Sequence, residues 1–470
     1  MDKDQIIKRL LKIVKKENII SDNTELSKYN KDWRGFYNYK SICLVFPSSK
    51  NEISKILKLC FSNNIKVVPQ AGNTSLTGAS VPSKDNYEII INLKRMNKIL
   101  SIDRINMLVE VESGVILDSL KDYTYKNQLY FPLELSSSGS CLIGGNIATN
   151  AGGINALKYG TIRESVKGLE VVLADGSITE SMSIMTKDNT GYDFKNIFCG
   201  SEGTLGIITK ALLKIYPKPK DYYHCFFAFN SIKETINLFT KLKDIFCENL
   251  ESAEIIPNIA FEMTIKHGFL KKHFFSHSYE SYLLCKFSLF ENKSKFENKF
   301  NEKISKLESL YEDLIIAQSI QQGKNFWKFR DDLVTSYKIE GKFITNDISL
   351  PLNKLNEFIN VASKRINNLI PGTRIYSFGH LGDGNIHFNM IEPINYAKDF
   401  NLYRNKIYNL VNNIVEKNQG SFSAEHGIGM VKKQSLKKYK SKNQIDFMKK
   451  IKKSLDPKNI LNPGKIIDLD

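Results

Sequence analysis

Three of the seven histidines, His380, His387 and His426, fall inside two short motifs, G-H-L-G-D-G-N-I-H and S-A-E-H-G-I-G. In the first motif a Gly-rich turn separates the two imidazoles and can double the chain back to bring them together. Glu425 and His426 stand side by side in the second. Two His and one Glu with an open coordination position form a catalytic Zn²⁺ set, with Mn²⁺ and Fe²⁺ as the other candidates. Taken alone, the H-x6-H spacing is also what two structural histidines beside a turn would give. A metal here has a chemical reason, because coordination lowers the pKa of a bound hydroxyl-bearing ligand such as water from about 15.7 to about 7.

A second set of residues points to a large anionic ligand. Ser138 to Gly160 reads S-G-S-C-L-I-G-G-N-I-A-T-N-A-G-G-I-N-A-L-K-Y-G. A run this rich in Gly and small polar residues lets main-chain N–H groups approach and donate to a pyrophosphate, or else builds tight turns in a β-rich domain. Pro69 to Pro82, P-Q-A-G-N-T-S-L-T-G-A-S-V-P, repeats the pattern directly after the apolar Ile65, Val67 and Val68, and Cys199 to Gly206, C-G-S-E-G-T-L-G, is a third such loop. None is a G-x-G-x-x-G or a G-x-x-x-x-G-K-[ST], so the cofactor these loops imply lies outside the Rossmann and Walker schemes. The candidate contacts in the first loop are Gly72, Asn73, Thr74, Ser75, Gly78 and Ser80. The central run offers Ser138, Gly139, Ser140, Ile143, Gly144, Gly145, Ala148, Thr149, Asn150, Gly152, Gly153, Tyr159 and Gly160. The third loop adds Glu202, Gly203, Gly206 and Ile207.

These three loops, together with K-D-N-T-G-Y-D-F-K-N-I-F, the two histidine motifs and L-N-P-G-K, resemble in order the vanillyl-alcohol-oxidase/p-cresol-methylhydroxylase flavoproteins. Within that superfamily they are most similar to the FAD-binding D-2-hydroxyacid dehydrogenases, the group of D-2-hydroxyglutarate dehydrogenase, D-lactate dehydrogenase and the glycolate oxidase FAD subunit. The similarity runs through nearly the whole chain. It implies an α+β protein with a two-subdomain FAD-binding domain of the p-cresol-methylhydroxylase type over 1–217 and an α/β substrate, or cap, domain over 218–424. A C-terminal segment, 425–470, would return to the flavin and bring Asn462 near the isoalloxazine.

The resemblance also implies roles. FAD binds non-covalently: the first loop has no His to tether it, and Cys141 matches a Cys that close relatives carry without a covalent link. His380, His387 and Glu425 hold the divalent metal, and a 2-hydroxy acid would chelate it through hydroxyl and α-carboxylate. His426 takes the hydroxyl proton while hydride leaves C2 for flavin N5, a task suited to a base whose ordinary pKa is about 6.5. Arg330, in F-W-K-F-R-D, matches the Arg that grips the substrate carboxylate, with Asn385, Thr335 and Lys432 as further substrate contacts. The chain departs from the pattern at two places: Val334 stands where relatives that bind a second carboxylate have Thr, and Thr345 where they have Lys. A smaller or less acidic D-2-hydroxy acid is therefore as well suited as 2-hydroxyglutarate. Ala71, Ser75 and Ala79 replace family glycines with other small residues. With no NAD fingerprint or iron–sulfur cysteine cluster, electrons would pass to electron-transfer flavoprotein, a quinone or a cytochrome. A flavin oxidase using O₂ is a related alternative, and a Zn²⁺ hydrolase is the alternative if no flavin binds.

The elements that must position these residues are legible in part. Ser49 with Glu52 forms a capping box before Ile53, Ile56, Leu57 and Cys60 at helical spacing, flanked by strands at 41–46 and around Val67. Strands are expected at 87–93 and 108–111, a helix at 117–123, and a hairpin turning at Asp175 and Gly176. Beyond Pro217 the aromatic Y-Y-H-C-F-F-A-F precedes a helix capped by Ser231 with Glu234, and strands are expected at 282–290 and 374–378. The net charge of +17 is carried mostly by scattered Lys, which suits a solvated surface that attracts anionic substrates rather than a nucleic-acid-binding module. Seven cysteines without a C-x-x-C pair suggest a reducing, cytoplasmic setting. The first sixteen residues read as an amphipathic surface helix, and no apolar run approaches a membrane span, so membrane contact is at most peripheral. A homodimer is compatible with all of this.

Overall fold

A computed structural model describes residues 1–84 and 87–469. The chain divides into two compact units, one of Met1–Gly152, Gly160–Lys218 and the stretch from Glu425, the other of Gly153–Tyr159 and Pro219–Ala424. No helix among the described residues is long and apolar enough to cross a membrane.

The first unit contains two main sheets. One has the strand order Ile19–Ile20, Cys43–Val45, Glu88–Asn92, Lys66–Gln70, and its last three strands run parallel. The helix Lys50–Asn63 is the crossover between the second and fourth of these. Ser49 accepts from the Glu52 N–H at its N-terminus while Glu52 reaches back to Ser48 N. Its stripe Ile53, Ile56, Leu57 and Cys60 is fully buried, as the spacing predicts. The N-terminal helix Lys3–Leu10 sends Ile6 and Leu10 into the same core. The other sheet is antiparallel, ordered Ile99–Asp103, Leu108–Glu112, Ile207–Lys214, Val166–Val172, Ile178–Ser181. Its last pair is the expected hairpin, with Gly176 at φ +81° in the turn, where a side chain would be strained.

The second unit is built on one seven-stranded sheet, ordered Asp313–Ile316, Asp221–Phe229, Ser281–Leu289, Leu250–Pro257, Arg374–His380, Asn385–Ile391, Phe343–Ser349. Every pair in it is antiparallel. Directly opposed residues share a face, so the register sorts side chains into two sets. Ile255, Leu283, Phe287, Ile344, Ile386 and Phe388 face a core with helices Ile232–Phe246, Leu352–Leu369 and Arg404–Lys417. The opposite face is apolar at Phe226, Ile256, Tyr282 and Phe378, where helices Asn258–Lys266 and Ile320–Ile339 cover it. Elsewhere on that second face the sheet is polar.

Candidate active site

In the first unit the Gly-rich runs converge. The central run is not loop throughout: I-G-G-N-I-A forms a short helix, Ile143–Ala148. Several of its glycines are explained by protein packing rather than by a ligand. A Cβ on Gly72 would lie 2.2 Å from the Ser140 carbonyl oxygen, one on Gly145 2.8 Å from the Ala71 Cβ, and one on Gly144 2.6 Å from the Ser113 Cβ. These residues are Gly because the first loop, the central run and the neighbouring strand lie backbone to backbone. Gly203, at φ +70°, sits against the Pro69 ring, and Gly206 against the Val171 side chain. By contrast Gly139 and Gly152 have no neighbour nearer than 3.5 Å to a Cβ, which leaves room for a ligand.

Around these turns the polar side chains are largely committed. Asn73, at φ +54°, donates to the Lys31 carbonyl and accepts from Ser80, and the half-buried Ser75 accepts from the Thr77 N–H. Thr149 bonds back to Gly145, and Asn150, at φ +50°, accepts from Thr161. Ser140 donates to the Ser137 carbonyl and the Ser138 N–H to the Leu135 carbonyl. Gly78 and Gly160 both sit at φ +73°, where glycine is favoured, and Ile143 and Ile207 are core residues. Thr74 is half-buried in the first loop. Burial raises the pKa of the Cys141 thiol.

Glu202 ties the parts together. Its N–H donates to the Ala148 carbonyl, and its carboxylate accepts from the Ile428 and Gly429 N–H groups at 2.6 and 2.8 Å. This anchors the E-H-G-I-G motif, in which the Glu425 carboxylate lies 3.6 Å from His426 Nε2. The positive charge of Lys432 lowers the Glu202 pKa. Asn462, at φ +46°, donates through Nδ2 to the Ala79 and Glu202 carbonyls at 2.8 and 2.7 Å. Its Oδ1 is buried without a protein partner. A buried acceptor of this kind calls for a donor, so the first unit fits a cofactor with N–H or O–H groups at this position.

The second unit assembles a polar face. The hairpin Arg374–His380/Asn385–Ile391 brings His380 and His387 to one side with ring centroids 5.4 Å apart. Glu254, on the adjacent strand and directly opposite His380, engages His380 Nδ1 and accepts from Arg330 Nε at 2.8 Å. Burial would raise the Glu254 pKa, but Arg330 and His380 outweigh it and hold the carboxyl down at about 2. Arg330 is itself buried on helix Ile320–Ile339, with its guanidinium over the Phe378 ring.

Two expected substrate residues are placed differently. Asn385 donates both Nδ2 hydrogens inward, to Asp347 and to the Ile348 carbonyl. Thr335 is exposed, roughly 140° around the helix from Arg330 at 3.6 residues per turn, whereas Val334 shares the Arg330 face. Three residues escaped the sequence reading: Glu254, Asp347 opposite His387, and Asn389. Asn389 is 1% exposed, on the His387 face, and its Nδ2 has no partner. Strand alternation from His387 was the available signal for it. Gly153 and Tyr159 group with this second unit, where the helix Ala156–Tyr159 packs on the Leu250–Pro257 strand.

Two family models match the chain. Residues 41–181 match the FAD binding domain family and residues 218–466 the family described as FAD linked oxidases, C-terminal domain. The chain is 35% identical to D-2-hydroxyglutarate dehydrogenase, mitochondrial, of Arabidopsis thaliana, over 97% of this chain and 80% of that one. It is likewise 35% identical to a D-2-hydroxyglutarate–pyruvate transhydrogenase of Saccharomyces cerevisiae, over 94% and 90%. Among solved structures, p-cresol methylhydroxylase with substrate bound superposes with a TM-score of 0.76 at 16% identity, covering 99% of this chain and 97% of that one. The fold is that of the p-cresol-methylhydroxylase-type flavoproteins, and the chain is an FAD-dependent oxidoreductase. It belongs to the FAD-linked oxidases and, within them, to the D-2-hydroxyacid dehydrogenase family.

Proposed function

We propose that the protein oxidises a D-2-hydroxy acid of the 2-hydroxyglutarate, lactate or glycolate type to the 2-oxo acid and passes the electrons to an external acceptor such as electron-transfer flavoprotein, a quinone or a cytochrome. The observation that carries this reading is the single sheet face on which Arg330, Glu254, His380, His387 and Asn389 meet. A guanidinium grips a carboxylate, a pair of imidazoles suits a divalent ion, and the unpartnered Asn389 amide can donate to a further substrate oxygen. FAD supplies the hydride acceptor when bound. His380, His387 and Glu425 are the donors we assign to a divalent metal, Zn²⁺ first, with Mn²⁺ or Fe²⁺ as substitutes. The Glu254 carboxylate behind His380 supports that assignment, since ligating histidines commonly give their other nitrogen to a carboxylate. His426 receives the hydroxyl proton. Lys432 is a further contact for the substrate in this scheme.

Val334 and Thr345 make a smaller or less acidic substrate nearly as well suited as 2-hydroxyglutarate. Both stand where relatives gripping a second carboxylate have Thr and Lys, and Thr345 lies directly opposite Asn389. The cytoplasmic reading rests on seven free cysteines, six of them buried.

The test is anaerobic addition of D-2-hydroxyglutarate, D-lactate and glycolate to the FAD-loaded protein while its visible flavin band is followed. Bleaching by one acid names the substrate class, and chelation should abolish that bleaching until Zn²⁺ or Mn²⁺ is restored. A band that none of the three acids bleaches would overturn the reading.

A further inference from the structure

The L-N-P-G-K run hangs on a buried ion pair. Lys452 is 4% exposed on the inner side of helix Lys442–Leu455, and its ammonium donates to the Asp456 carboxylate, to the Thr204 carbonyl at 2.7 Å and to the Leu461 carbonyl at 2.8 Å. Its three hydrogens thus meet three acceptors, so the charge is fully satisfied without water. Asp456, 0% exposed, accepts in turn from the Ile460 and Leu461 N–H groups at 3.0 and 2.8 Å. The pair therefore holds both backbone polar groups of Leu461, the residue before Asn462. Through Thr204 the same ammonium holds the third Gly-rich loop, two residues beyond the Glu202 carbonyl that accepts from Asn462 Nδ2.

Asn462 needs such support. Its left-handed backbone, at φ +46°, is one that few side-chain-bearing residues other than Asn adopt, and its surroundings hold it there. The parallel bridge between Leu461 and Val67 and the Asn462 N–H donated to the Val67 carbonyl at 2.7 Å fix one side. Lys452 and Asp456 fix the other. The outcome is an amide with both donors spent and a buried Oδ1 left unpartnered.

We propose that Lys452 and Asp456 are positioning residues for the cofactor: by pinning Leu461 against Thr204 they aim Asn462 Oδ1 at a hydrogen-bond donor of FAD. This rests on FAD binding and not on the substrate reading, and it separates from a merely stapling role by its coupling to Asn462. The experiment prepares apoprotein of Lys452→Met, Asp456→Asn, Asn462→Ala and the Lys452→Met/Asn462→Ala double variant. FAD affinity is titrated by flavin fluorescence, the visible band of bound flavin is recorded, and near-UV circular dichroism checks the fold.

Lys452→Met and Asn462→Ala should each weaken FAD roughly three- to tenfold, the worth of one hydrogen bond, and shift the flavin band alike. The double variant should be no weaker than Asn462→Ala, and Lys452→Arg should recover part of the loss. Wild-type affinity in Lys452→Met, or losses that multiply in the double variant, would overturn the proposal. If Lys452→Met does not fold, Asp456→Asn is read in its place. Failure of both to fold would overturn it too, because the pair would then be holding the whole unit.

Discussion

Arg330 and His380 grip opposite oxygens of one buried carboxylate: Arg330 Nε donates to Glu254 Oε2 at 2.8 Å, and Glu254 Oε1 engages His380 Nδ1. A group proposed to hold substrate and a group proposed to hold metal are thereby set at a fixed spacing by a third residue that does neither. The arrangement is costly to disturb, because removing one partner leaves a buried charge uncompensated, at about 3–5 kcal/mol.

Glu254→Gln should therefore slow flavin reduction by the preferred hydroxy acid about 10- to 100-fold, the usual effect of losing the carboxylate behind a metal-binding histidine. The visible flavin band before substrate addition serves as the check that the variant binds FAD. Stopped-flow reduction at saturating substrate measures the rate, and a wild-type rate would separate His380 from the metal.

His426→Ala should retain FAD and lose reduction rate by about 10² to 10⁴, the contribution of a positioned general base. The comparison is made from single-turnover reduction against pH. A near-normal rate removes His426 from proton transfer.

Substrate choice should follow two positions. Thr345→Lys combined with Val334→Thr should raise kcat/KM for D-2-hydroxyglutarate relative to D-lactate by roughly 10- to 100-fold, as expected of a new hydrogen bond to a charged group. No change in that ratio would place the distal end of the substrate elsewhere.

Glu202 predicts a pH dependence of the apoprotein. Burial pushes its carboxyl up to about 7 from 4.5, against the Ile428 and Gly429 N–H groups and the Lys432 charge, which pull it down. Between those values the folded chain binds more protons than the unfolded one, so this contribution is complete below 4.5 and is lost as pH rises through about 7. The melting temperature of the apoprotein should accordingly carry a component that falls across this window, and Glu202→Gln should flatten it. An identical slope in wild type and variant would show that Glu202 stays ionised throughout.

Much of this was legible without coordinates. The capping residues Ser49 and Ser231 accept the expected N–H groups, and the apolar stripe from Ile53 to Cys60 is buried, because helix ends and periodicity are local properties. The same holds for the Asp175–Gly176 turn and for the doubling back that brings His380 to His387. What the chain could not disclose is which distant residues oppose one another. Asn385 spends both Nδ2 hydrogens on Asp347 and the Ile348 carbonyl, while Asn389, four residues on along the same strand face, keeps its Nδ2 unpartnered. Thr335 lies beside Val334 in sequence and faces away in space. Glu254 has no local signal at all, since its importance comes from cross-strand register with His380 and from a helix more than seventy residues later. Even the glycines changed meaning: their density was plain, but only the packing of one loop on another shows that Gly72, Gly144 and Gly145 serve backbone contact. Residue types and short-range spacing determine which elements form and what chemistry they can carry. Register and packing, which depend on contacts far apart in the chain, decide which of those residues face the site.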